Sequence, residues 1–217
     1  MNAATWATVG AVGLPIVAGL ALGLAPLGAD RARRVALALL ALMVGSLVLG
    51  LWVAQPGVVL GLDWLPGAGT LTLELGGSGV QAALITTLAA LLPLVVIAPP
   101  KRCVLATGLF CLGAANVAFL SGSFLGRYVA LELVALAVAA APLLERAEAE
   151  GPRITRAVYV LLRLGDAGLM MAIFLLWRLS GTLAIDDALA GGLGADPSIM
   201  RWVVGGLALA SWVKMGA

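Results

Sequence analysis

Residues 155–179 read TRAVYVLLRLGDAGLMMAIFLLWRL. Arg156 and Arg178 stand near the two ends, and the run between them has about the length, roughly 20 residues, that an α-helix needs to cross a hydrocarbon core. Yet Arg163 and Asp166 fall near its middle. A charge at the bilayer centre costs at least about 2.5–3.5 kcal/mol on insertion scales, so such residues face protein or water and not lipid. Their i, i+3 spacing places both on one helix face and allows an ion pair. Gly165 and Gly168 beside them let a neighbouring helix approach closely. A spanning helix that hides charges against its neighbours describes a bundle inside a membrane.

The rest of the chain agrees. Hydrophobic residues make up 62% of the 217 and charged residues 11%, with mean hydropathy +1.10, the composition of a chain solvated mainly by lipid. The net charge of +2 is spread over short loops and forms no basic stripe, so no nucleic-acid partner is expected. With no histidine and two cysteines, haem ligation by His, Cys/His zinc sites and four-cysteine iron–sulfur clusters are excluded as activities of this chain, and no cofactor or metal is expected. Cys103 and Cys111 lie eight residues apart in one apolar run, about 12 Å along a helix at ~1.5 Å per residue, too far for a local disulfide. The N-terminus MNAATWATVG lacks a positive region ahead of its apolar run and reads as a retained span.

Charged and Pro/Gly-rich breaks divide the chain into seven expected spans: Trp6–Leu27, Val35–Val53, Val80–Ala98, Val104–Leu120, Phe124–Leu144, Thr155–Leu179 and Ile199–Ala217. Between the second and third, Gln55–Gly79 alternates apolar residues with turn formers, which predicts a short hairpin. Its GAG and GGSG are turn glycines, since no Lys-Ser/Thr follows as a phosphate loop requires. Gly19 and Gly23 form a small-xxx-small pattern that predicts close helix packing. Arg31, Arg33, Arg34, Lys101, Arg102, Arg146, Arg153 and Arg156 fall in loops on one side, against Arg127, Arg178 and Arg201 on the other. The positive-inside rule then places the first set in the cytoplasm and the N-terminus outside. RAEAEGPR, around Glu148, reads as a solvated interhelical turn. The expected fold is a single all-α transmembrane domain over 1–217.

Of the thirteen basic residues, eleven fall in loops or close to span ends, and two, Arg163 and Lys214, are expected inside the membrane. Glu132, in YVALELVALAV, and Asp166 are the acidic residues near mid-span. Arg163 and Asp166 have each other. Glu132 and Lys214 have no opposite charge within one or two turns of their own helices, since Arg127 is i−5 and nearer the outer end, so each must find its partner across the bundle. The expectation is that they face one another. A buried lysine is the side chain most readily brought toward neutrality, so this lysine is a candidate proton carrier and a movable glutamate beside it a switch. Static ion pairs that fix helix register are the alternative.

An acidic residue in LELV, then RLGDAGLMM on the next span, then a lysine in ALASWVKMGA one span later, resemble the first half of the antiporter-like subunits of respiratory complex I and of Mrp-type cation/proton antiporters. The family's motifs are a Trp-Glu on the fifth helix, an Asn-Arg-Val-Gly-Asp run on the sixth and a lysine on the seventh. Glu132 matches the glutamate, Arg163 and Asp166 the sixth-helix pair, and Lys214 the lysine. Leu131 stands where the family has tryptophan, Leu162 where it has asparagine, and GGSGVQAAL lacks the family's Asp-Gly-Leu-Ser. The resemblance implies a proton path, an N-outside topology, and a multi-pass protein of the inner (plasma) membrane. It also implies partner membrane subunits that supply a second half and an energy source: an NADH:quinone oxidoreductase-like or hydrogenase-like arm, a paired Na⁺ antiporter subunit, or a zinc-bearing partner in inorganic-carbon uptake. An independent transporter that binds a small solute at Arg163–Asp166 is a further alternative.

Overall fold

The computed structural model describes residues 3–24, 28–53, 58–65, 69–74, 80–81, 83–84, 86–88, 102–144, 151–192 and 194–216. The elements are helices α1 (Ala3–Leu24) and α2 (Ala29–Val53), strands β1 (Val58–Leu65) and β2 (Gly69–Glu74), and helices α3 (Arg102–Leu120), α4 (Phe124–Leu144), α5 (Gly151–Ser180), α6 (Ile185–Gly192) and α7 (Pro197–Gly216). Six of these helices coincide in sequence with expected spans. The third expected span, Val80–Ala98, lies mostly outside the described residues, with helix at 80–81, 83–84 and 86–88. Lys101, Arg146 and Glu148 also lie outside them.

Cys103–Leu120, Phe124–Leu143 and Gly151–Ser180 are long and apolar enough to cross a membrane, and Thr8–Leu24 and Arg34–Val48 are shorter apolar stretches. Arg201 and Lys214 keep α7 out of the first group. The chain is an integral membrane protein. Its helices are built accordingly. In α5, Leu162, Gly165, Asp166, Leu169, Ala172, Ile173 and Leu176 are buried at helical spacing. The opposite face exposes Leu161, Leu164, Met170, Met171, Phe174 and Trp177, an apolar surface that only lipid or another protein solvates.

The expected hairpin is present as an antiparallel β1–β2 pair, with Gly61 opposite Thr72 and Leu62 opposite Leu71. Leu73 is buried and bridges to Ser121. Ser121–Ser123, the three residues between α3 and α4, also pair with the α5–α6 link: Phe124 N donates to Leu183 O at 2.9 Å and Ile185 N to Gly122 O at 2.9 Å. The hairpin and these two connections therefore share one end of the bundle. Helix α6 differs from expectation, since this stretch reads as loop in a search for long apolar runs. It is only eight residues long, with Asp186 and Asp187 in its first turn and Ile185 and Ala188 buried, too short and too amphipathic to register as a span.

Close backbone approaches order the helices. A Cβ at Gly19 would lie 2.7 Å from Ala106 O and one at Gly113 would lie 2.6 Å from Ile16 Cγ1. Numbers that rise on α3 as they fall on α1 make the two antiparallel. The close packing expected of Gly19 is thereby realised, and the C-terminal end of α1 lies beside the start of α3. Cys103 and Cys111 are free thiols.

Candidate functional site

Helix α5 is the centre of the site, because α4 packs on one side of it and α7 on the other. The α5–α7 seam is made by glycine: a Cβ at Gly206 would lie 2.5 Å from Gly168 O, and one at Gly168 would lie 2.9 Å from Gly206 O. Two backbones in direct contact leave short reach for side chains on either flank. Gly165 meets Val213 in the same way, with 3.1 Å from its would-be Cβ to Val213 Cβ. This antiparallel register sets Asp166 against Lys214, whose Nζ donates to Asp166 Oδ1 at 2.7 Å. The role expected of Gly165 and Gly168 is thus observed.

On the other flank, Arg163 Nη1 pairs with Glu132 Oε1 of α4, and the same Nη1 lies 3.7 Å from Asp166 Oδ2. The four charges form one row across three helices, Glu132–Arg163–Asp166–Lys214, alternating in sign and summing to zero. Side-chain exposure is 4% for Asp166, 17% for Glu132, 19% for Lys214 and 36% for Arg163, so the second carboxylate is the deep member and the guanidinium the most open. Tyr159, one turn before Arg163, places its ring 4.9 Å from the guanidinium carbon, a cation–π contact that stabilises a partly desolvated cation. Among the described residues, Glu132 Oε2 and Asp166 Oδ2 are buried without a hydrogen-bond donor.

All four expected residues are therefore brought together, but the pairing differs from expectation. Glu132 and Lys214 each find a partner across the bundle, as the lack of one on their own helices requires, yet they do not pair with each other. Arg163 takes Glu132 and Asp166 takes Lys214. The physical reason is the glycine seam, which draws α7 onto the face of α5 that carries Asp166. The expected Arg163–Asp166 ion pair survives only as the longer 3.7 Å approach. No group of three or more His, Cys, Asp or Glu side chains positioned to hold a metal ion occurs among the described residues.

Sequence reading missed Tyr159, whose i, i+4 spacing from Arg163 was the available signal, and Asn116 on α3, fully buried among apolar residues. Asn116 Nδ2 donates to Ala11 O of α1 at 3.0 Å. That carbonyl needs an outside donor because Pro15, four residues on, has no N–H to give it.

No family model matches the sequence, and no curated relative does. Solved structures do match. A chain of the Mrp complex from Dietzia sp. DQ12-45-1b aligns with TM-score 0.80 and 17% identity over 98% of this chain and 24% of its own length. A chain of respiratory complex I from Thermus thermophilus with bound NADH aligns with TM-score 0.73 and 26% identity over 94% of this chain and 43% of its own. A chain of the membrane-bound sulfane sulfur reductase, an archaeal respiratory membrane complex, aligns with TM-score 0.69 and 18% identity over 96% and 44%. This chain thus spans less than half the length of each. The neighbours are antiporter-like membrane subunits, so the expected resemblance holds, as a fold, over nearly the whole chain.

Proposed function

We propose that this chain, folded as antiporter-like membrane subunits are, carries part of a proton or proton/cation path within a larger energy-coupled membrane complex. One observation carries the reading: four ionisable side chains in a single row on three membrane helices, with acid and base alternating and Lys214 hydrogen-bonded to Asp166 at 2.7 Å. Rows of this kind are expensive in lipid and mark ion pathways.

In this reading the ammonium of Lys214 passes its proton along the hydrogen bond to Asp166, leaving a neutral amine and a neutral acid. Arg163 cannot give up its proton. It therefore acts as the fixed charge between two carboxylates, held by Glu132 whenever Asp166 is neutral, and transmits the state of one carboxylate to the other. The unpaired Oε2 of Glu132 is the point at which a proton reaches or leaves the row. The bundle has seven spans with the N-terminus outside, lies in the inner (plasma) membrane, and works with partner membrane subunits that supply the remaining half of the path and the energy source.

A second reading has one specific observation in its favour: all four charges already have partners, so the row also suits a static brace. Lys214→Arg separates the two. The substitution keeps the positive charge and its hydrogen bond to Asp166 but not the ability to release a proton. The full complex, reconstituted in vesicles with a pH-sensitive dye, is expected to assemble at normal abundance and to lose most of its proton translocation. Translocation at the wild-type rate makes the row a brace and ends the proton-path reading.

A further inference from the structure

Away from the charged row, on the α1–α2–α3 side of the bundle, the side-chain oxygen of Asn116 is buried and meets no donor among the described residues. Asn116 is completely buried. Its Nδ2 is fixed by Ala11 O, an acceptor that admits only the nitrogen end of the amide, so the orientation is settled by chemistry. The same Nδ2 lies 3.7 Å from Met43 Sδ of α2, a weak acceptor. Oδ1 then points elsewhere, and no donor among the described residues reaches it. A buried amide oxygen left without a donor is rare in folded proteins, and the usual partner is an internal water.

The surroundings are built for this arrangement. Pro15 frees the carbonyl that holds Asn116, and Gly113, one turn before Asn116, lets α3 come within 3.1 Å of the Pro15 ring as measured from a would-be Cβ. Ser46 of α2, whose hydroxyl donates to Leu42 O at 2.9 Å, lies against Gly10 beside Ala11 and offers free lone pairs on the same seam. Ala11 and Met43, the residues that the amide nitrogen meets, are themselves fully or almost fully buried, so whatever reaches Oδ1 does so in the interior of the bundle. Among the described residues, the buried polar side chains of this region are Thr8, Thr87 and Asn116, all uncharged. A cation would lack the compensating charge that burial in a membrane demands. The ligand is therefore a neutral hydrogen-bond donor.

We infer that Asn116 Oδ1 binds a single internal water between α1, α2 and α3, at a position separate from the Glu132–Lys214 row. Pro15 and Asn116 form one unit: the proline opens the helix ladder, the amide nitrogen closes it from the neighbouring helix, and the amide oxygen is left for the water.

X-ray hydroxyl-radical footprinting of the full chain in lipid nanodiscs tests this, because radicals form from bound water and oxidise the adjacent thioether to the sulfoxide. Met43, although fully buried, is expected to be oxidised in the wild type alongside Met200 at the start of α7. Asn116→Leu should reduce Met43 oxidation to background while leaving Met200 unchanged. Because Asn116→Leu also strips Ala11 O of its donor, the double variant Pro15→Ala/Asn116→Leu is the companion: the restored backbone N–H at position 15 satisfies that carbonyl, so the helix is intact and only the water site is lost. Pro15→Ala alone should keep Met43 oxidised. The inference is overturned if Met43 is untouched in the wild type while Met200 reacts. It is equally overturned if Met43 reacts at an unchanged rate in the folded double variant.

Discussion

Replacing Asp166 by asparagine tests the geometry of the row at its deepest point. The side chain of Asp166 is 4% exposed and accepts from Lys214 Nζ at 2.7 Å, while Lys214 retains 19% exposure. Asp166→Asn keeps the volume and one acceptor oxygen but removes the negative charge, which leaves the ammonium without its counter-ion. Breaking a buried pair from one side costs about 3–5 kcal/mol. The retained acceptor and the partial exposure of Lys214 place this case near the lower bound, ~3 kcal/mol, or on the order of 100-fold in the folding equilibrium. Arg163 is spared because Glu132 still holds it. The assay is reversible unfolding in mixed detergent micelles, run as a double-mutant cycle with Lys214→Met. In the Lys214→Met background the same Asp166→Asn change has no ammonium to strand and should cost less than ~1 kcal/mol, giving a coupling of about 2 kcal/mol. If the two effects instead add within about 0.5 kcal/mol, the limit for independent sites, the Asp166–Lys214 contact does not stabilise the bundle and the reasoning fails.

Two further outcomes are expected. Gly206→Ala places a methyl 2.5 Å from Gly168 O, so the α5–α7 seam must open, with an overpacking cost of about 1–3 kcal/mol; Gly205→Ala, with nothing within 4 Å, should be neutral or slightly stabilising through helix propensity, and equal behaviour of the two in thermal unfolding would refute the seam. Asp196 precedes the first turn of α7, where its Oδ1 accepts from the Ser198 hydroxyl and from Ser198 N, both at 2.7 Å, and these bonds, the hydroxyl's first, hold its carboxyl below the usual carboxylate range. A depressed folded-state pKa means that the cap's stabilisation is present above the unfolded value of about 3.9 and is lost as pH falls through the lower folded value; ¹³C NMR titration of the Asp196 carboxyl should show a midpoint below 3.9 that Ser198→Ala raises, and an unchanged midpoint counts against the cap.

Much of the molecule is legible in its sequence, because a bilayer imposes simple rules. Apolar runs of spanning length, breaks at Arg and Pro/Gly, and the alternation of Gln55–Gly79 locate the described long helices and the hairpin, since lipid forces each span to satisfy its own backbone. The four candidate residues are legible for the same reason: a charge in an apolar run is conspicuous. What the sequence could not decide was who pairs with whom. Sequence spacing brings Arg163 to Asp166, and elimination brings Glu132 to Lys214, but pairing across helices depends on how far each backbone is allowed to approach. The contact of Gly168 with Gly206 draws α7 onto the Asp166 side of α5 and gives Lys214 to Asp166, and Arg163, on the edge of the buried face, turns to α4 and Glu132. Asn116 was hidden for a related reason. A neutral amide raises no alarm in an apolar helix, and its purpose exists only because Pro15, roughly 100 residues earlier in the chain, leaves the Ala11 carbonyl without a backbone donor, and that carbonyl meets Asn116 once α1 and α3 are packed. Local hydrophobicity is a property of one segment at a time, whereas register, partner and hydrogen-bond completion are properties of two backbones at a fixed separation, and only the folded bundle sets that separation.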